Sequence, residues 1–143
     1  DVYTCVLGGH GDTMVPVIRL CTVGGVPVSE LLPPETLQSI VQRTVKGGAE
    51  IVGLLKTGSA FYAPGVAAAE IADCILRDRK KILPCAVRLE GEYDIRDVVV
   101  GVPVKIGAAG IEDIIEIKLT EEEKKLLQRS ADAVSELKKV MRI

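Results

Sequence analysis

The segment Gly8-Gly9-His10-Gly11-Asp12-Thr13-Met14-Val15-Pro16 contains the only histidine among the 143 residues of this chain. It follows a short apolar run at residues 3–7. Glycines on both sides of His10 allow sharp backbone bends and the close approach of a ligand. An imidazole has an unperturbed pKa of about 6.5, so it can accept and release a proton near neutral pH. His10 is therefore a candidate for acid–base chemistry, although a lone histidine is as often a packed or solvated side chain.

Residues 8–17, GGHGDTMVPV, resemble the active-site histidine segment of the malate/lactate dehydrogenase family, and are closer to the lactate-dehydrogenase-like malate dehydrogenases. The resemblance continues through residues 17–28, 46–52 and 58–64 to the carboxy-terminal helix, so it covers essentially the whole chain. It implies that residues 1–143 form the carboxy-terminal catalytic and substrate-binding domain of the family. The family places its Rossmann domain before this domain, and no G-x-G-x-x-G follows a strand here, so we expect no Rossmann domain in this chain.

Composition narrows the class of protein. Hydrophobic residues make up 48% and charged residues 27%, as in ordinary globular domains. The net charge of −2 argues against nucleic acid and anionic membrane surfaces, which require a basic footprint. No apolar run reaches the ~20 residues of a membrane span, and the first residues do not resemble a signal peptide. The four cysteines are too scattered for zinc ligation, so we expect no metal site. We expect the thiols to be reduced and the protein to be cytoplasmic. Cys5 and Cys74 have apolar neighbours in the sequence and should lie in the core.

Hydrophobic periodicity predicts an α+β domain of antiparallel strands or hairpins and long packed helices. A β-hairpin is expected over residues 15–28 around a Gly24-Gly25 turn. A helix beginning near Pro34 should be broken at Gly47-Gly48. A second helix over residues 63–80 is apolar nearly all round at its centre, which is typical of a buried helix.

Three strands are expected at residues 82–89, 98–106 and 111–117, and their short connections predict antiparallel pairing. Thr120 and Glu123 have the spacing of a capping box, which predicts that the last helix begins there. One apolar stripe of that helix should pack on the domain: Leu127, Ala131, Val134, Leu137 and Met141.

The resemblance assigns roles to individual residues. His10 matches the histidine that takes up or returns the hydroxyl proton, and Ser59 matches a position beside the bound substrate. From its own sequence context, Ser59 can equally be a helix amino-terminal cap. Ala63 and Pro64 resemble positions that pack near the nicotinamide. The aspartate that orients the histidine and the arginine that binds the substrate carboxylate come from a segment upstream of Asp1, so we expect Arg19 to serve at the surface or in an interface.

The function implied is that of one half of an NAD-dependent malate dehydrogenase, which we expect to be inactive alone. The partners implied are a 2-hydroxy or 2-keto dicarboxylic acid, the Rossmann half and further copies in a homo-oligomer. L-lactate dehydrogenase is the alternative, because the residues that select the substrate lie in the other half. A folding and oligomerisation module without turnover is a third possibility.

Overall fold

The computed structural model describes residues 1–141, which form an α+β domain around a five-stranded antiparallel sheet. The strands of this sheet lie in the order β3-β2-β7-β6, with β8 also paired to β7. A second sheet of three short strands has the order β1-β4-β5. The strands are β1 (Val2–Tyr3), β2 (Val6–Gly8), β3 (Met14–Pro16), β4 (Thr22–Val23), β5 (Val26–Pro27), β6 (Lys81–Glu90), β7 (Arg96–Gly107) and β8 (Gly110–Ile114). The helices are α1 (Val28–Leu31), α2 (Pro34–Val45), α3 (Gly47–Leu55), α4 (Tyr62–Leu76) and α5 (Glu121–Met141).

Strand β7 organises the main sheet, because it pairs with three other strands. Strand β6 pairs with it from Lys81↔Ile106 to Glu90↔Arg96. Its other edge is shared by β8 and, at Gly101, by β2. Alternate β-branched side chains of β7 face the core, as the period of two in its sequence predicts: Val98, Val100, Val102, Val104 and Ile106. The expected strands and their antiparallel pairing are confirmed here, except that the third strand ends at Ile114 and not at residue 117.

The hairpin expected over residues 15–28 is wrong in its first half. Strand β3 turns back on β2, with Leu7 opposite Val15, and a 3₁₀ turn at Ile18–Leu20 then leads away from the sheet. Val15 and Val17 are fully buried, so their β-branched run belongs to the main core. The Gly24-Gly25 turn does join a hairpin, but only between the two-residue strands β4 and β5.

The helix break at Gly47-Gly48 is confirmed, since α2 ends at Val45 and α3 begins at Gly47. The expected burial of the following helix is wrong. Helix α4 runs from Tyr62 to Leu76, and Cys74 is its one buried residue within the described chain. An apolar helix surface predicts that something covers the helix, and within residues 1–141 only its end, at Cys74, is buried.

Helix α5 begins at the predicted capping box. The Thr120 amide donates to the Glu123 carboxylate at 2.8 Å, and the Glu123 amide donates to Thr120 Oγ1 at 3.2 Å. The predicted stripe packs only through its first half: Leu127 and Ala131 are buried, whereas Leu137 and Met141 are exposed. The helix is 21 residues long, about 30 Å, and its last turns run past the core.

The cysteines are free thiols, with Cys74 fully buried and Cys5 partly buried against the core, as expected. Burial raises the pKa of the Cys5 thiol above its ordinary value. None of the helices in residues 1–141 has the length and apolarity needed to cross a membrane.

Candidate active site: the histidine loop

His10 lies in the loop that joins β2 to β3, at the end of the main sheet. Its side chain is exposed. Gly8 and Gly11 on either side adopt φ of 84° and 88°, a region in which glycine is favoured. The Met14 amide donates to the Gly11 carbonyl at 2.9 Å and closes the turn after the histidine. The loop therefore presents an accessible imidazole on a sharply bent backbone.

Close packing explains the two glycines before the histidine. A Cβ at Gly8 would lie 2.8 Å from Ser130 Oγ and 2.9 Å from the Thr13 carbonyl oxygen. A Cβ at Gly9 would overlap Thr13 Oγ1. The sequence suggests that these glycines allow a ligand to approach. In the structure, the absence of a Cβ at Gly8 and Gly9 instead makes room for Thr13 and Ser130 of the same chain. The loop is thus fitted tightly between its own return strand and α5.

Ser130 of α5 is the buried polar residue on which this loop rests. Its side chain is completely buried, and its Oγ accepts a hydrogen bond of 2.5 Å from the Gly9 amide. No motif in the sequence singles out this residue. The available signal was its position on the apolar side of α5, next to Ala131 and one turn from Leu127 and Val134.

A second contact joins the same helix to the chain beyond β3. Arg19 donates to the Glu123 carboxylate through Nε and Nη2, each at 3.0 Å, and Nη2 also donates to the Lys118 carbonyl at 2.6 Å. The hydrogen bond from Arg19 holds the pKa of Glu123 below its ordinary value. Arg19 is therefore a surface residue that binds α5, in agreement with its expected surface role.

Ser59 lies in the exposed loop between α3 and α4. Its carbonyl accepts a hydrogen bond from the Phe61 amide at 2.9 Å. The interpretation of Ser59 as a helix cap is wrong, because the N-cap of α4 is Phe61, which makes no side-chain cap bond. Ala63 and Pro64 lie in the first turn of α4 and are exposed. That turn tolerates proline, since its amides have no partner within the helix.

Two clefts of the domain are bordered by α5. One of about 260 Å³ adjoins the histidine loop and is lined by Asp12, Thr13, Arg129 and Ser130, among others. A larger one of about 450 Å³ lies between Tyr93, the 116–119 segment and the start of α5. Neither includes His10 or Ser59 in its wall, so the expectation that both residues lie beside one bound substrate stays a prediction. Within residues 1–141, no three His, Cys, Asp or Glu side chains are grouped as metal ligands.

Comparison with known proteins identifies the class of this antiparallel α+β domain. The chain belongs to the lactate/malate dehydrogenase family: residues 1–142 match its alpha/beta C-terminal domain. The family and the fold expected from the sequence are thereby confirmed.

Similar curated proteins are malate dehydrogenases. The chain is 53% identical over 134 residues to the enzyme of Synechocystis sp. and 56% identical over 134 residues to that of Desulforudis audaxviator. These alignments cover 94% of this chain, but only 41% and 43% of the two relatives. The chain thus spans less than half the length of the curated relatives it matches.

Solved structures show the same fold. The malate dehydrogenase of Salinibacter ruber superposes with a TM-score of 0.94 at 51% identity, covering 99% of this chain and 47% of that one. The lactate dehydrogenase of Eimeria maxima, determined with NADH and oxamate, superposes with a TM-score of 0.95 at 42% identity, covering 99% and 46%.

Proposed function

We propose that this chain is the catalytic and substrate-binding half of an NAD-dependent malate dehydrogenase, with His10 as the proton acceptor and donor. The observation that carries the proposal is the accessible imidazole of the chain's only histidine, on a loop whose backbone is fixed by glycine packing and by Ser130. The relatives named malate dehydrogenase, at 53% and 56% identity, favour malate as the substrate.

His10 would accept the proton of the malate C2 hydroxyl as the C2–H bond breaks, and would return it during reduction of oxaloacetate. NAD, when bound, supplies the hydride acceptor. A positioned acid–base group contributes about 10²–10⁴ in rate. The remaining acceleration requires alignment of the reactants and groups that balance the substrate charge. Those functions need the other half of the enzyme, so we expect the isolated chain to be inactive.

The remaining site residues have supporting roles in this proposal. Ser59 is exposed on a short loop, so its hydroxyl is available to a substrate. Ala63 and Pro64 are exposed, small and apolar at the start of α4, which fits packing against a planar nicotinamide ring. They offer no charged group for the cofactor's phosphates, so the amino-terminal half would supply most of the NAD site. The four free thiols are consistent with a cytoplasmic enzyme.

Two alternatives rest on specific observations. A lactate dehydrogenase half is favoured by the similarity to the Eimeria maxima enzyme, although the identity of 42% is lower than that to the malate dehydrogenases. A folding and oligomerisation module without turnover is favoured by the exposed apolar surface of α3 and α4.

Steady-state reduction of oxaloacetate and of pyruvate with NADH distinguishes the three candidate functions: a malate dehydrogenase half, a lactate dehydrogenase half and a module without turnover. The chain should be assayed alone and as the whole dehydrogenase, meaning this chain preceded by a nucleotide-binding half. We expect no turnover by the chain alone and a preference for oxaloacetate in the whole dehydrogenase. A preference for pyruvate would indicate lactate dehydrogenase, and no turnover with either substrate would indicate the module. Turnover by the chain alone would contradict our placement of the cofactor.

A further inference from the structure

Ser130 holds the backbone immediately before the proposed catalytic histidine. Its Oγ is within 2.5 Å of the Gly9 amide nitrogen, although the two residues are separated by 121 positions in the sequence. Ser130 is also the one buried residue of residues 1–141 with a polar side chain. A hydroxyl buried among apolar side chains is costly unless it is hydrogen-bonded, and here its partner is an amide of the histidine loop.

The surroundings of Ser130 leave the loop little freedom. A Cβ at Gly8 would lie 2.8 Å from Ser130 Oγ, and a Cβ at Gly9 would lie 3.2 Å from the same oxygen and overlap Thr13 Oγ1. The serine itself belongs to a long helix, which is anchored near its start by the Arg19–Glu123 ion pair. The direction of the peptide that leads into His10 is therefore set by α5.

We propose that Ser130 is a positioning residue that fixes the orientation of His10 through the Gly9 amide. This inference rests on the proposed function of His10. Without the hydroxyl, the Gly9 amide loses its partner and the loop can relax toward the neighbouring 260 Å³ cleft. A displacement of about 1 Å in a reacting group can reduce the rate by about 100-fold.

The existence and importance of the hydrogen bond can be tested without catalysis. Amide hydrogen exchange of Gly9 should be slow in the chain and at least tenfold faster in Ser130→Ala. Ser135→Ala is the matched control, because it removes a serine hydroxyl from the same helix, five residues beyond the contact. Equal Gly9 exchange rates in the chain and in Ser130→Ala would overturn the proposal.

The positioning role is tested by steady-state kinetics of the whole dehydrogenase, well below the unfolding temperature of each variant. We expect Ser130→Ala to lower kcat by at least about tenfold while KM for NADH stays within twofold. Ser130→Thr, which keeps the hydroxyl, should restore kcat to within threefold, and Ser135→Ala should match the unmodified enzyme. If Ser130→Ala does not fold, Ser130→Cys provides the same comparison, with a sulfur that is a weak acceptor.

An unchanged kcat in a folded Ser130→Ala or Ser130→Cys enzyme would overturn the proposal. So would a loss of kcat that Ser130→Thr does not restore. His10→Asn separates this failure from failure of the proposed function. If His10→Asn is inactive and Ser130→Ala is fully active, only the positioning role is wrong. If His10→Asn is fully active, the proposed function is wrong, and the exchange experiment still reports on the hydrogen bond.

Discussion

At the scale of single residues, the histidine was recognisable in the sequence, but the reason for its neighbouring glycines was not. A histidine flanked by glycines is visible as a local pattern. Ser130 crowds Gly8, and Gly8 crowds Gly101, across large separations in sequence, whereas the tightest contact at Gly9 is with nearby Thr13. Ser130 was missed for the same reason, since one hydroxyl on a helix does not reveal which amide it meets. Sequence patterns therefore single out His10 as a candidate, but they do not show what holds its loop in place.

Gly101 provides a stability test of this close packing. A Cβ at Gly101 would lie 2.7 Å from the Gly8 carbonyl oxygen, where β2 pairs with β7. Gly101→Ala should therefore lower the free energy of unfolding by about 1–3 kcal/mol, the usual cost of overpacking. Equilibrium denaturation of the chain measures this difference.

Gly53→Ala in α3 is the matched control, because a Cβ there meets nothing within 4 Å. Replacing a glycine inside a helix should stabilise the chain by about 0.5–1 kcal/mol. If Gly101→Ala were as stable as Gly53→Ala, the close approach of β2 and β7 would be refuted.

At the scale of secondary structure, strong local patterns predicted the elements well. The alternating valines of β7 and the capping box of α5 lie where the sequence placed them. The pairing of β3 was missed, because a β-branched run does not reveal which neighbour it pairs with. The exposure of α4 was missed because an apolar surface does not identify the partner that covers it.

The contact of Arg19 with α5 predicts a pH dependence of stability. The hydrogen bond from Arg19 lowers the pKa of Glu123 in the folded chain below the ordinary value of 4.5. The ionised carboxylate therefore stabilises the fold above pH 4.5, and this contribution is lost as the pH falls through the lower folded pKa. Glu123→Gln keeps a side chain suited to the capping box but removes the charge. It should be less stable than the chain at pH 7, and the difference should shrink below pH 4.5.

Glu122→Gln is the control for charge at the start of α5, since Glu122 is exposed in the same helical turn. Chemical denaturation at pH 7 and pH 3 measures the loss of unfolding free energy relative to the unmodified chain. This loss should change less between the two pH values for Glu122→Gln than for Glu123→Gln. A Glu123→Gln deficit that is equal at both pH values would contradict a role for the ionised carboxylate.

At the scale of the whole molecule, the chain has apolar surface that its own elements do not cover. Helices α3 and α4, together with the residue before α4, expose large hydrophobic side chains: Leu54, Phe61, Tyr62, Val66 and Leu76. Large exposed apolar patches mark interaction sites. The chain spans less than half the length of its curated relatives, so we propose a nucleotide-binding half and further copies of the chain as the partners of this surface.

We expect the isolated chain to self-associate at high micromolar concentration through this surface. Light scattering measures its mass. Val66→Glu places a charge on a side chain that is 69% exposed and should shift the chain toward the monomer. Gln38→Glu, at an exposed polar position on α2, should leave the mass unchanged. A strictly monomeric chain would contradict the prediction.

The central claim is that His10 transfers the proton. The most direct test compares the rate of oxaloacetate reduction with NADH in the whole dehydrogenase and in its His10→Asn variant. Both enzymes should bind NADH with the same affinity, which serves as the control. Loss of the acid–base group should lower kcat by about 10²–10⁴. A His10→Asn enzyme that retains kcat within a few-fold of the unmodified enzyme would contradict the claim.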